Sequence, residues 1–374
     1  MTESAPAPTR HRRRRWLLAA LSTLGAVALA EIGVRMMTPA PDKHRLHRTL
    51  LDQPFLYGLD PSHPEISSQG LRDREFTIPK PDGTTRIMLL GDSVVFGVGA
   101  GIDKTMSRCV ERRLADAHIE VMNAGVHGWT PYNELQWFRT QGAQFDADVV
   151  IVVFCLNDVA NPYLHWDFTR GVLTGIPDAA IPNREYHDDY VLRQLEAQQA
   201  AYVSRSTFPQ SWLRRSALYR KLAPLFAGGD TLTRLVDGRS WSVRITGEDS
   251  IPIDVLTDSQ SKEWAWLRGM YGELRDAVAN SGAEFVVASV PLATQLDPDY
   301  PFVPQDQLAG FCKELGVDYV PALTRLRGMD PDDAFLGLRA GYDDIWHPTE
   351  HGLDEIAAEI AAHLQEHVLP RLRR

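Results

Sequence analysis

The chain has 374 residues, 44% of them hydrophobic, and a formal net charge of -10. That length and apolar content suit one elaborated α/β domain with a sizeable core. The acidic balance excludes nucleic acid as the main partner, because a phosphate-binding face shows as a basic excess.

The one dense basic block, Arg10 to Arg15, precedes residues 16–30, which carry no charge. With Ala28, Leu29 and Ala30 as a cleavage site, this stretch suits a signal peptide; alone it is short of the about 20 residues a spanning helix needs. Continued past Glu31 through Ile32, Gly33 and Val34, it suits an uncleaved signal anchor, with the arginines inside and the body outside. Arg13, Arg14, Arg15, Trp16 and Leu17 also resemble a twin-arginine signal. Each reading exports the body, either membrane-anchored and extracytoplasmic or secreted after cleavage. Residues 1–37 therefore form a basic tail with its anchor or signal, and the proline-rich residues 38–84 a stalk and leading segment.

Regular alternation starts at residue 85. A strand over 85–90 leads to a helix over 103–117, with Asp103 as its N-cap. A second strand over 119–122 leads to a helix over 131–141, with Pro131 early, where its missing N–H costs little. The third strand, 148–156, contains the β-branched run Val149 to Val153, which suits a central parallel strand buried on both faces. Alternation then breaks over residues 159–258, an insertion with helices expected over 190–204 and 210–226. It resumes with a helix over 259–281, a strand over 284–290, a helix over 305–315 and a strand over 317–320. A last helix, 349–368, carries Leu353, Ile356, Ile360, His363 and Leu364 on one face. Repeated βα units over 85–370 predict a doubly wound parallel sheet between helical layers, with a large insertion after the third strand.

The first strand stops on Gly91, Asp92 and Ser93, which places a serine where open α/β sheets hold their chemistry. A serine hydroxyl needs a base and a group to orient that base. The D-x-x-H spacing of Asp344 and His347, just before the last helix, supplies both from one tight turn. Asp343 and His351 are their rivals. His347 and Ser93 would then meet at one edge of the sheet. Donors for an oxyanion stand at successive strand ends: the backbone N–H of Ser93, the backbone N–H of Gly128 and the side-chain amide of Asn157.

Gly91-Asp92-Ser93, Gly128, Asn157-Asp158 and Asp344-x-x-His347, in this order, resemble the four blocks of the SGNH or GDSL hydrolase superfamily. The resemblance spans about residues 85–366 and implies a flavodoxin-like, three-layer sheet. It implies an ester hydrolase with Ser93 as nucleophile, His347 as base, Asp344 as its orienter, and Ser93, Gly128 and Asn157 as oxyanion donors. Cys155 departs from the pattern, standing where the third block has glycine. The substrate classes implied are small-molecule, glycan and lipid esters. An acyltransferase using the same residues and a catalytically silent glycan-binding protein are the alternatives.

Neither a cofactor nor a metal is expected. Gly97, Gly99 and Gly101 lack the G-x-G-x-x-G spacing of a dinucleotide loop. His165 with Asp167, and His187 with Asp188 and Asp189, have no supporting ligand cluster, and the three cysteines form no C-x-x-C pair. Asp92 and Asp158 are expected to organise their loops, and His127 to be satisfied by backbone. Residues 210–226 interleave apolar and basic side chains, which suits packing on the main domain or a lid at a membrane surface.

Overall fold

The computed structural model describes residues 10–37, 46–50, 52–160, 216, 218, 230–236, 239–245, 262–296, 303–339 and 342–372. The chain divides into two compact units, Met1–Lys43 with Tyr202–Gly228, and His44–Ala201 with Gly229–Arg374. The helices expected over 190–204 and 210–226 lie outside the described residues, apart from Ser216 and Leu218. The paired histidine and aspartate positions at 165–167 and 187–189 also lie outside them.

In the first unit, helix α1 runs over Arg10–Met37. Its segment Arg14–Val34, 21 residues, is long and apolar enough to cross a membrane, and none of it is buried. Leu18, Leu21, Leu24, Val27 and Leu29 all stand exposed. The single acidic residue of this segment, Glu31, accepts hydrogen bonds from the Ser216 hydroxyl at 2.8 Å and the Leu218 N–H at 2.9 Å.

The second unit is built on a five-stranded parallel sheet. In chain order its strands are β3 (Thr85–Gly91), β4 (Ile119–Gly125), β5 (Val149–Phe154), β8 (Glu284–Ser289) and β9 (Asp318–Pro321). They lie side by side as β4-β3-β5-β8-β9, which is the doubly wound flavodoxin-like order. Leu90 stands opposite both Ala124 and Val152, and Val152 opposite Val287. Every residue of β5 is buried, as a β-branched run covered by helices on both faces requires.

The longer helices are α3 (Met106–Leu114), α4 (Pro131–Thr140), α6 (Lys262–Asn280), α7 (Val303–Leu315) and α8 (Glu350–His363), and among the short ones α2 (Ser93–Phe96) and α5 (Asn157–Ala160) bear on the site. Helix α3 packs on α8, and α4 on α6. Because β3 to β4 runs one way along the sheet and the later connections the other, right-handed crossovers put these pairs on opposite faces.

Two local expectations change. Asp103 is not the N-cap of α3: it lies in a 3₁₀ turn, Ile102–Lys104, and Thr105 holds the cap position before Met106. Helix α8 begins after Thr349, whose hydroxyl accepts the Gly352 N–H at 3.0 Å, and widens into a π-helical turn over Leu364–Val368.

Among the described residues three antiparallel pairs stand outside the main sheet. Strand β1 (His47–Thr49) pairs with β2 (Tyr57–Leu59), β6 (Asp230–Val236) with β7 (Arg239–Ile245), and β10 (Phe335–Arg339) with β11 (Tyr342–Pro348). The leading segment therefore has a fold of its own, and Phe55, Leu56, Tyr57 and Leu59 enter the main core.

Candidate active site

Ser93 opens α2 directly after β3, and two glycines make that sharp turn possible. A Cβ on Gly91 would meet Val95 Cγ2 at 2.6 Å, and one on Gly125 would meet the Val95 carbonyl carbon at 2.6 Å and run into the Phe96 nitrogen. A side chain at Gly125 would push α2 off the sheet, because it meets the helix backbone, and one at Gly91 would force the Val95 side chain to shift. Asp92 caps the helix, its Oδ1 accepting the Val94 N–H at 2.9 Å. At the far end, buried Arg72 donates to the carbonyls of Phe96, Gly97 and Ala100 at 3.0, 2.9 and 2.8 Å. These contacts tie the leading segment to the C-terminal end of α2, where helices leave carbonyls short of partners.

The imidazole of His347 joins the serine to a carboxylate. Its Nε2 lies 2.9 Å from Ser93 Oγ, and its Nδ1 lies 2.9 Å from both carboxylate oxygens of Asp344. Regular strand alternation would point residues three apart to opposite faces. Here β11 is bulged. Gly337 pairs with Asp344 and Phe335 with Pro348, so Leu336 alone faces Ile345, Trp346 and His347. Asp344 Oδ1 also accepts the N–H groups of Trp346 and His347, at 3.3 and 3.1 Å, which curls the bulge around the carboxylate. Bulges are known to re-aim side chains in this way. The tight turn expected for D-x-x-H is thus a bulge within a hairpin. The strand that delivers the serine is interior to the sheet, so the meeting point lies over the sheet's carboxyl end rather than beside an outer strand.

Electrostatics favour this arrangement. Burial works to raise the Asp344 carboxyl, but the hydrogen bond and charge of His347 and the two backbone N–H groups outweigh it and hold it below the ordinary carboxylate range. His351, four residues on, is exposed on α8. The side chain of Asp343 lies outside the described residues, and its backbone pairs with Leu338.

The residues expected to serve as oxyanion donors follow three adjacent strands. Ser93 has its N–H in the first turn of α2, where helices leave donors unpaired. Gly128 follows β4 with φ +68, a left-handed conformation that glycine adopts without strain. Asn157 opens α5 after β5, and its Nδ2 donates to Asp92 Oδ2 at 2.9 Å. That bond uses one of two amide hydrogens, leaving the other to point elsewhere. Asp158 Oδ2 accepts the Cys155 N–H at 3.1 Å, so both aspartates organise loops as expected. Cys155 is buried at the end of β5, and burial pushes its thiol well up, so it stands as a packed, protonated group. Behind them, burial, with the charge of Asp92 adding to it, pushes the carboxyls of Glu134 and Asp158 well above their usual range.

Several residues near the site carry no motif. Tyr57 donates its hydroxyl to the His127 carbonyl at 3.0 Å, and the Trp129 indole donates to the Tyr57 carbonyl at 3.1 Å. The His127 ring lies 4.0 Å from that of Phe96 and 5.1 Å from that of His47. Asp73 accepts the Asn123 N–H at 2.9 Å. His47, Tyr57 and Asp73 come from the proline-rich leading segment, where only spatial proximity to the loops distinguishes them. Among the described residues no group of three or more His, Cys, Asp or Glu side chains is placed to hold a metal.

A doubly wound parallel sheet with a serine, an imidazole and a carboxylate in line over its carboxyl end is the layout of an α/β hydrolase. The model of the GDSL-like lipase/acylhydrolase family matches residues 89–354, and the chain belongs to that family. Its sheet is accordingly the SGNH hydrolase fold. Similar solved structures include TesA, at 13% identity over 75% of this chain and 98% of that one, with a TM-score of 0.39. The lipase/acylhydrolase from Enterococcus faecalis has 12% identity over 75% and 96%, with a TM-score of 0.39. A catalytic mutant of Axe2, an acetylxylan esterase from Geobacillus stearothermophilus, has 11% identity over 75% and 93%, with a TM-score of 0.39. No curated protein matches the chain.

Proposed function

We propose that the protein hydrolyses carboxylic esters through a covalent acyl-enzyme on Ser93. The observation that carries this reading is the unbroken line from Ser93 Oγ through His347 to Asp344, with each contact at 2.9 Å. His347 Nε2 takes the hydroxyl proton as Ser93 Oγ attacks the ester carbonyl. The negative charge on the carbonyl oxygen is met by the N–H groups of Ser93 and Gly128 and the free amide hydrogen of Asn157. His347 returns the proton to the leaving alcohol, then activates water to release the acid. Asp344 holds the imidazole in the tautomer that presents Nε2 as a base.

Ser93→Ala is expected to lower hydrolysis of p-nitrophenyl acetate by at least about 10³-fold, with the melting temperature unchanged. Activity within tenfold of wild type would refute the mechanism. The family's chemistry supports small-molecule, glycan and lipid esters as substrate classes. Helix α1 supports attachment to a membrane, as an anchor or as a signal peptide before cleavage, with the hydrolase unit on the outer side by the positive-inside rule.

A further inference from the structure

The leading segment lies before residue 89, where the family match begins, yet it reaches the loop after β4. We infer that Tyr57 is a positioning residue that sets the direction of the Gly128 N–H by holding the carbonyl of the same peptide unit. This rests on the proposed role of Gly128 as an oxyanion donor.

The His127 carbonyl and the Gly128 N–H belong to one planar peptide. In a trans peptide these groups point in opposite directions, and neither rotates without the other. The Tyr57 hydroxyl donates to that carbonyl at 3.0 Å. Fixing the oxygen on the side of the β1–β2 hairpin therefore fixes the N–H on the other side. The need for such a clamp follows from the backbone. Gly128 has φ +68, and glycine has access to many alternative conformations, so this peptide is the one in the loop most free to flip. The clamp itself is rigid. Tyr57 is fully buried, its own carbonyl receives the Trp129 indole N–H at 3.1 Å, and the neighbouring Phe55 carbonyl receives the Asn133 amide at 3.0 Å. The hairpin thus grips the loop just beyond Gly128 as well as just before it. Burial also pushes the phenol well up, so the hydroxyl keeps its proton as a donor.

The test compares wild type with Tyr57→Phe, which removes one oxygen. Turnover is measured on a short p-nitrophenyl ester and its thionoester, with rates normalised to the fluorophosphonate-reactive fraction. A developing thiolate accepts hydrogen bonds more weakly than an oxyanion, so the ester-to-thionoester ratio reports the donors directly. The expected result is a fall of about tenfold in kcat with KM within about twofold, and a smaller ester-to-thionoester ratio. Gln69→Ala, which removes two hydrogen bonds to the Phe76 backbone in the same segment, is expected to lower the melting temperature while leaving the ratio unchanged. Tyr57→Met fills the space without a donor and carries the same expectations if the phenylalanine variant does not fold. An unchanged kcat and ratio in a folded Tyr57 variant would overturn the inference. Full activity in Ser93→Ala would instead remove the reading of the site on which the inference depends.

Discussion

Buried Asp344 and half-buried His47 are ionisable groups with opposite consequences. Asp344 keeps its charge because His347 and two N–H groups compensate its burial. Asp344→Asn removes the compensating charge and changes which tautomer of His347 is favoured. We expect kcat to fall by about 10²- to 10⁴-fold with little change in KM, measured by steady-state hydrolysis. His47 has no such compensation. Its ring lies 6.5 Å from that of Tyr57 and 5.1 Å from that of His127, and burial, followed by the charge of His63, lowers its pKa from 6.5 to about 4. Between those values the unfolded chain binds a proton that the folded chain excludes, so stability rises with pH and is lost on acidification. His47→Gln should lose less stability than wild type between pH 6.5 and 4, by up to roughly 3 kcal/mol. Denaturant titrations at several pH values check this, and parallel losses in both proteins would refute it.

Among the elements, α2 and the β10–β11 hairpin decide whether the site exists. Helix α2 must lie flat across β4, and Gly125 permits it. Gly125→Ala should destabilise the protein by at least about 1–3 kcal/mol, because the nearest neighbour is backbone and cannot rotate away. It should also slow fluorophosphonate labelling of the folded fraction, since Ser93 moves with the helix. The strands of the main sheet were legible in the sequence because each is a compact apolar run ending on polar or glycine residues. The hairpin was not. Residues 335–339 are short and interrupted by Gly337, and the bulge destroys the alternation that marks a strand. The D-x-x-H pair was visible as a spacing, while the backbone that makes it work was not.

At the scale of the whole molecule, helix α1 and the leading segment matter most. If α1 stays attached as an anchor, the full chain should remain in the membrane pellet after carbonate extraction, whereas a cleaved signal would release a shorter soluble protein. Immunoblotting of both fractions, with the mature N-terminus sequenced, separates the two. The leading segment reads as a proline-rich connector because the contacts that tie it to the main core are long-range. Arg72 reaches the end of α2 and Asp73 reaches β4. Neither relation leaves a periodicity in the chain.

The sequence by itself determined the doubly wound sheet, the positions of Ser93, Gly128 and Asn157 after its strands and of Asp344 and His347 just before the last helix, and the apolar segment near the N-terminus. These are local properties: hydrophobic runs, turn residues and short spacings fix them within a few residues of chain. Only the tertiary structure decided that His347 rather than His351 faces Ser93, that a bulge turns Asp344 toward the imidazole, and that Tyr57 holds the peptide of Gly128. Those relations join residues 254 and 70 positions apart in the chain. Packing of separate elements alone creates them, so no local pattern records them.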